Sequence, residues 1–168
     1  MGTKVLAFFL LVPGIYGQSP GYPAFDQFRV TEVFSGKPAA PVLKTANQRR
    51  FRTMIREGAA DGPNFAGHYT IAQWGCGAGC VSIAVVDAKD GAVYDGPFQV
   101  LSWDMYKYEG QYASNTPEFE PLVFRKDSRL LIARGCPGEA NCASYFYEWT
   151  GSKFRMVRKV EAEKITAR

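Results

Sequence analysis

Beyond residue 60 the chain alternates apolar and polar residues in short runs that turn residues separate. The runs "HYTIAQW" (68–74) and "VSIAVVD" (81–87) put every second side chain on one face, as a half-buried strand does. The segments 121–135 and 144–160 each hold two such runs, with Lys-Asp-Ser or Thr-Gly-Ser at the bend. This period of two predicts β-hairpins over most of the chain.

One segment has the helical period instead. Over residues 47–60, Phe51, Met54, Ile55 and Ala59 fall at positions i, i+3, i+4 and i+8, which form one apolar stripe. Asn47 stands where a helix N-cap is expected. The remaining face carries four arginines, namely Arg49, Arg50, Arg52 and Arg56. We expect this face to be solvated, with contact to phosphate or lipid headgroups as the alternative.

Together these patterns predict an α+β fold that is mostly β. The expected architecture is a twisted antiparallel meander packed on one amphipathic helix (about 47–60), with "FRVTEVF" (28–34) as the first strand. The hairpins at 121–135 and 144–160 are partly similar to propeller blades. A closed propeller is not expected, because it needs at least about four blades and a chain of this length holds about three.

The N-terminal residues have the pattern of an export signal. Lys4 precedes the apolar run "VLAFFLLV" (5–12), and the small residue Gly17 offers a cleavage point. A buried N-terminal strand or helix is the alternative. No apolar run is long enough to cross a bilayer, so no membrane span is expected. We predict a signal peptide over 1–17, a flexible leader over 18–27, one globular domain over 28–162 and a secreted or periplasmic location.

Composition limits the classes of protein that fit. Hydrophobic residues make up 46% of the 168 residues, with 12 Phe, 9 Tyr and 3 Trp, which argues against intrinsic disorder. The formal net charge of +4 is well short of a nucleic-acid binder, so no nucleic-acid partner is expected. No motif points to a cofactor, and we expect a monomer.

The four cysteines, Cys76, Cys80, Cys136 and Cys142, suit two disulfides in an oxidising compartment. The glycines of "CGAGC" permit a tight turn, and "PGEAN" between the second pair is rich in turn residues. Local pairing, 76–80 with 136–142, is therefore expected at one edge of the sheet, and two other connectivities stay open. Zinc is the rival, but the spacing is irregular, so no metal site is predicted. The lack of C-x-x-C argues against a redox pair.

His68 is the single histidine and the ordinary candidate for a general base near neutral pH. An extended strand would separate it from Cys76 by about 26 Å, which argues against a Cys–His nucleophilic pair. Two interpretations stay open: a hydrogen-bonded structural histidine at a strand start, or a base that works with a carboxylate. Asp87 and Asp90 are expected to serve the turn that follows residue 86.

Residues 101–120 are aromatic, polar and poorly periodic, and they predict a long surface loop. Trp103, Tyr106 and Tyr108 lie in this loop beside several carboxylates. Rings next to carboxylates are typical of a carbohydrate-binding surface. The alternative is a solvated loop whose rings cover the core.

Three phrases, "GPNFAGHY" (62–69), "WGCGAGC" (74–80) and "VVDAKDGAVYDGP" (85–97), carry a resemblance. They are similar to those of an uncharacterised family of small exported bacterial proteins, whose signature is PNFAGHY followed by WGCGxGC. The similarity covers roughly residues 25–160 of this chain. It implies export and a bacterial origin, and it implies no activity, cofactor or catalytic residue.

Two functional hypotheses follow. The first is an extracytoplasmic binding or inhibitor-type module whose disulfide-stapled loops recognise an envelope or extracellular protein or a glycan. The second is a small cell-envelope hydrolase in which His68 acts with a carboxylate. The lack of a convincing catalytic set favours the first, whose surface is expected to include Trp74, Gly77, Gly79, Trp103, Tyr106 and Tyr108. A cavity around His68 beside a carboxylate would favour the second.

Overall fold

A computed structural model describes residues 21–103 and 120–161 of the chain. The predicted signal peptide (1–17), residues 18–20 of the leader, and Tyr106 and Tyr108 lie outside these ranges. The described elements are a 3₁₀ turn (Phe25–Phe28), α1 (Ala46–Arg50), α2 (Arg52–Ala60), β1 (Tyr69–Gly75), β2 (Cys80–Asp87), β3 (Val93–Asp95), β4 (Leu101–Ser102), β5 (Leu122–Phe124), β6 (Leu130–Pro137), β7 (Ala143–Trp149) and β8 (Phe154–Glu161). No helix in these ranges has the length and apolar character that crossing a lipid bilayer requires.

The strands form one open antiparallel sheet, which confirms the predicted α+β, mostly β class. Their order is β1-β2-β4-β6-β7-β8, while β3 pairs with β2 and β5 pairs with β6. The β5–β6 and β7–β8 hairpins are those that the sequence predicts. Strand β4 joins the two halves of the sheet through only two residues, Leu101 and Ser102, which pair with β2 on one side and β6 on the other.

Alternation along β2 divides the apolar residues between two cores. Val81, Ile83 and Val85 belong to the larger core, which they share with β6 and β7. Ala84 and Val86 face the smaller core, where they meet α2. Both faces of β2 are therefore covered, which is why the strand is apolar at almost every position. A fully buried large apolar side chain contributes about 1.5–3 kcal/mol here.

The single helix expected over 47–60 is two short helices. Helix α1 begins after Thr45 rather than Asn47, because the Thr45 hydroxyl accepts from the Gln48 backbone N–H at 3.1 Å and the Gln48 side chain returns to the Thr45 N–H. Phe51 then leaves helical geometry, at φ −100° and ψ 22°. Ile55 is buried as predicted, whereas Met54 of the expected stripe is exposed.

The strand expected over 28–34 is absent from the structure. Arg29 forms a single bridging pair with Ser128, and the hydrogen bonds after it go to separate turns rather than to one partner strand. The Phe34 N–H, for example, donates to the Gly67 carbonyl. Residues 21–27 of the expected flexible leader contact the domain, since the Tyr22 ring stacks on Phe146 at 6.0 Å.

Candidate functional site

Two regions with candidate chemistry lie at opposite ends of β1. His68 directly precedes the strand, and Trp74 is its penultimate residue. Six extended residues separate the two by about 20 Å. The two regions are therefore built, and must be judged, independently.

His68 lies in a tight turn between Phe65 and Tyr69. Phe65 and Tyr69 exchange backbone hydrogen bonds of 2.9 and 3.0 Å. Between them, Ala66 and Gly67 have left-handed φ angles of 44° and 84°. A Cβ atom at position 67 would collide with the Glu32 carbonyl oxygen, so this position needs glycine.

The Asn64 side chain acts as a short substitute for a neighbouring strand. Its Nδ2 donates to the Ile71 carbonyl at 3.2 Å, and its Oδ1 accepts from the Ile71 N–H at 2.8 Å. The amide thereby satisfies both backbone groups of Ile71 on the open side of β1. Residues 64–67 of the phrase "PNFAGHY" consequently have a structural explanation, whereas none of these contacts involves the imidazole of His68.

His68 has a carboxylate partner across the hairpin. The β1–β2 register pairs Tyr69 with Asp87, which brings the His68 Nε2 to 3.5 Å from the Asp87 Oδ2. The other carboxylate oxygen accepts from the Lys89 N–H at 2.8 Å, the turn role that the sequence predicts for Asp87. The imidazole keeps 26% of its surface exposed.

The imidazole also lines a cavity of about 410 Å³, here called the His68 cavity. Its polar lining includes Thr31, Glu32, Lys89, Arg129 and Thr150. With Arg29 and His68 included, the lining holds one carboxylate and four cationic or protonatable groups, so the cavity suits an anionic or polar guest. It offers a proton acceptor beside a carboxylate, the minimum requirement for general-base chemistry.

Tyr69 closes the inner side of the His68 region. Its hydroxyl donates to the Gly151 carbonyl at 3.1 Å, and its ring lies 4.1 Å from the imidazole. Burial is the main cause that raises the pKa of Tyr69, and the nearby charge of Asp87 raises it further. Tyr69 therefore stays protonated well beyond neutral pH and serves as a donor.

The second region is a groove of about 680 Å³ between the helices and the β1–β2 hairpin. We call it the Trp74 groove and define it by Asn47, Arg50, Phe51, Trp74, Asp95 and Phe98. The Phe51 and Trp74 rings lie 5.0 Å apart at 30°, and the Arg50 guanidinium lies 5.5 Å from the Phe51 centroid. The residue that makes this aromatic contact, Phe51, is also the residue at which the chain breaks between α1 and α2.

Trp74 carries an unsatisfied polar atom. Its Nε1 is buried and has no hydrogen-bond partner in the described part of the chain. A buried N–H without a partner costs about 1–3 kcal/mol. A phenylalanine could pack against Phe51 without that cost, so packing alone does not explain why the chain has tryptophan here.

The cysteines form the local pairs, Cys76 with Cys80 and Cys136 with Cys142, with Cα atoms 5.5 and 4.0 Å apart. No cysteine is free to ligate zinc or to act as a thiol. Cys80 pairs with Ser102, which pairs in turn with Cys136, so one row across β2, β4 and β6 holds both disulfides. Two strand spacings put the disulfides about 10 Å apart, on inner strands of the sheet rather than on its outer strands.

The other predicted contact residues are not brought together with Trp74. Trp103 packs against the larger core, whereas Trp74 packs against the smaller core on the opposite face of the sheet. Gly77 and Gly79 have φ angles of 137° and 61°, which shape the disulfide turn, and the Gly79 carbonyl accepts from the Trp103 N–H. Tyr106 and Tyr108 lie outside the described residues.

Sequence reasoning missed several groove residues. The sequence assigns Phe51 to a helical core stripe and Arg50 to a solvated face, and it gives Asp95 no role. The signal that could have found Asp87 as the partner of His68 was the hairpin register of 68–74 with 81–87, since both runs alternate. No pattern in the sequence brings Phe98 to the groove that Trp74 lines, because that placement depends on tertiary packing.

Comparison with known proteins finds no matching family model, no matching curated protein and no matching solved structure. Function must therefore be inferred from the two regions themselves. Fold alone carries no function in this case.

Proposed function

We propose that this protein is an extracytoplasmic binding module that holds its ligand in the Trp74 groove. The groove itself carries the proposal: an aromatic pair, Trp74 with Phe51, lines a concave surface that also offers Asn47, Arg50 and Asp95. Ligand sites combine such apolar walls with a few convergent polar groups. The two disulfides support an oxidising, extracytoplasmic compartment.

Rigidity favours binding at this groove. The Cys76–Cys80 disulfide closes the end of the β1–β2 hairpin, and Cys76 itself lines the groove. On the other side, the Gln48 side chain ties α1 to β3 through the Val93 carbonyl at 3.2 Å. A site fixed from both sides loses little conformational entropy when a ligand binds.

Retention of envelope extract on the immobilised protein tests the proposal. Trp74→Ala should retain at least about tenfold less material than wild type, because aromatic anchors carry much of the energy of binding sites. Tyr22→Ala is the matched control, since Tyr22 is an exposed ring distant in sequence and absent from the groove lining. Equal retention by Trp74→Ala and wild type would contradict the proposal.

A hydrolase is the second candidate, and the His68–Asp87 pair at 3.5 Å in a cavity favours it. In this hypothesis His68 takes a proton from an attacking water molecule. Asp87 orients the ring, and the proton then passes to the leaving alkoxide. Lys89 at the cavity wall would stabilise the negative charge that develops on the carbonyl oxygen.

Ester turnover tests the second candidate. With 4-nitrophenyl acetate near pH 7.5, His68→Gln should lose about a hundredfold of the rate, and Asp87→Asn should lose less. Asp90→Asn is the control, because the Asp90 carboxylate serves the same turn through the Ala92 N–H. Wild-type turnover no faster than buffer would remove the hydrolase from consideration.

A further inference from the structure

We propose that the ligand of the Trp74 groove is an uncharged sugar unit of an oligosaccharide or polysaccharide. This inference rests on the proposed binding function and names the class of ligand for the same site. It follows from three properties of the groove: its aromatic surface, the geometry of its polar groups, and its balanced charge.

The aromatic surface suits the apolar face of a sugar ring. Phe51 and Trp74 form a tilted pair with centroids 5.0 Å apart, and both rings line the groove. The π face of an aromatic ring is electron-rich and attracts polarised C–H groups. A pyranose presents several such groups on one face, whereas its hydroxyls project around the rim.

The polar groups of the groove are planar and paired. The guanidinium of Arg50, the amide of Asn47 and the carboxylate of Asp95 each offer two coplanar hydrogen-bonding atoms. Such a pair of atoms matches two neighbouring hydroxyl groups. The Arg50 guanidinium lies over the Phe51 ring, but within residues 21–103 and 120–161 neither Arg50 nor Asp95 makes a salt bridge or side-chain hydrogen bond. Their hydrogen-bonding atoms are therefore available to a ligand.

Charge and size distinguish a sugar from other ligands. Arg50 and Asp95 balance each other, so the groove does not select a phosphate or a polyanion. A volume of about 680 Å³ lies in the range of small-ligand clefts, about 300–1,000 Å³. A protein partner needs about 800 Å² of contact from each side, which a cleft of this size does not supply.

Titration with defined glycans tests the inference on the full chain. The probes are the β-1,4-linked hexasaccharides of glucose and of N-acetylglucosamine, together with an envelope polysaccharide fraction digested exhaustively with protease. Calorimetry should detect saturable binding of at least one probe. Trp74→Ala should weaken it at least about tenfold, whereas Trp74→Phe should keep it within a few-fold because the aromatic face remains.

Two further variants separate recognition from folding. Arg50→Gln and Asp95→Asn should each weaken binding about three- to tenfold, through lost hydrogen bonds to hydroxyls. Arg52→Gln should leave binding unchanged, because Arg52 is an exposed arginine of α2 that does not line the groove. Circular dichroism of each variant verifies that the protein is folded.

The possible results distinguish failure of the sugar assignment from failure of the binding function. No binding of any of the three probes, or binding that Trp74→Ala leaves intact, overturns the sugar assignment. If untreated envelope extract is still retained through Trp74 while protease digestion abolishes that retention, the binding function stands and the ligand is a protein. If extract is not retained at all and no probe binds, both proposals fail.

Discussion

The two ends of β1 differ in how the fold builds them. At the His68 end, backbone geometry determines the position: a left-handed glycine, a side-chain amide that imitates a strand, and a turn held against the Glu32 carbonyl. At the Trp74 end, side-chain packing determines it, through the contact of Phe51 with Trp74 and a disulfide of short span. The two regions should therefore tolerate mutation differently.

This difference shows where the chain carries groups that the fold does not require. Most residues around His68 satisfy backbone groups, and the imidazole is the addition. Around Trp74 the additions are the indole N–H, which has no partner among the described residues, and Arg50 and Asp95, whose polar atoms make no salt bridge or side-chain hydrogen bond in the described ranges. The Trp149 N–H, at the wall of the His68 cavity, also has no partner among the described residues, so each end carries a buried polar atom that the fold leaves unsatisfied.

The largest expected effect is at Gly67. Gly67→Ala should lower the free energy of unfolding by about 4 kcal/mol, because the added Cβ meets the Glu32 carbonyl oxygen at a left-handed φ. Urea denaturation measures the change. Gly21→Ala is the control, since no atom lies within 4 Å of its added Cβ. A Gly67→Ala protein as stable as the control would show that the turn is not constrained as described.

Alkaline pH should loosen the larger core, on which the His68 end is built. Burial raises the pKa of Tyr147 to about 12, and the pKa of Tyr69 is raised as well. Below pH 10 both tyrosines are neutral in folded and unfolded chains. Between pH 10 and about 12 the unfolded chain ionises first and binds fewer protons, so stability falls, by up to about 3 kcal/mol for Tyr147.

Thermal melts over this pH range measure the effect. Tyr147→Phe should remove most of the decline, because the phenylalanine has no proton to lose. A decline of equal size in this variant would assign the pH dependence to other groups.

Removing the strand-like side chain of Asn64 should cost about 2 kcal/mol. Asn64→Ala leaves both backbone groups of Ile71 without their partner, whereas Asn64→Asp keeps the acceptor for the Ile71 N–H. The denaturation midpoint should therefore be highest for wild type, lower for Asn64→Asp and lowest for Asn64→Ala. The reverse order of the two variants would contradict the role assigned to the amide.

Loss of the Cys76–Cys80 disulfide should affect the opposite end of the strand. The double variant Cys76→Ser/Cys80→Ser should lose at most about 2 kcal/mol, because the ring is small. Hydrogen exchange should accelerate around Trp74 and remain unchanged around Asn64. Faster exchange at both ends would show that the two regions are coupled. The double variant Cys136→Ser/Cys142→Ser is the control, because it removes a disulfide-closed loop of similar size.

The smallest effect on stability is expected from Trp74→Phe. The smaller ring loses some packing, while the buried N–H without a partner disappears, so the net change should stay within about 1 kcal/mol. Trp149→Phe makes the comparison, because Trp149 also has a buried N–H without a partner among the described residues but is 1% exposed in the larger core, so its lost packing should cost more. A loss at position 74 equal to that at 149 would show that Trp74 is a core residue.

Local sequence patterns predicted the strands well, but they predicted the helix start and the connecting segment over 28–34 poorly. The period of two identified β1, β2 and the hairpins, because those strands have faces of distinct burial. The start of α1 was missed because Thr45 and Gln48 cap it before the apolar stripe begins. The expected strand over 28–34 alternates as a strand does, but its hydrogen bonds go to several turns, which no local pattern reveals.

The candidate site was only partly predictable for the same reason. His68 and Trp74 were identified as singular residues, but their partners depend on pairing and packing between distant segments. Asp87 reaches His68 through strand register, and Phe51 reaches Trp74 through the packing of helix on sheet. Trp103 was grouped with Trp74 by chemistry, whereas sheet alternation puts the two on opposite faces.

The short span of both disulfides bears on how the chain oxidises. Each pair is separated by only four or six positions in sequence, so the correct partners stay near each other even in the unfolded chain. Mispaired isomers would require far longer loops and should form rarely. Oxidative folding of this protein should therefore proceed with a simple oxidant and without the help of a disulfide isomerase.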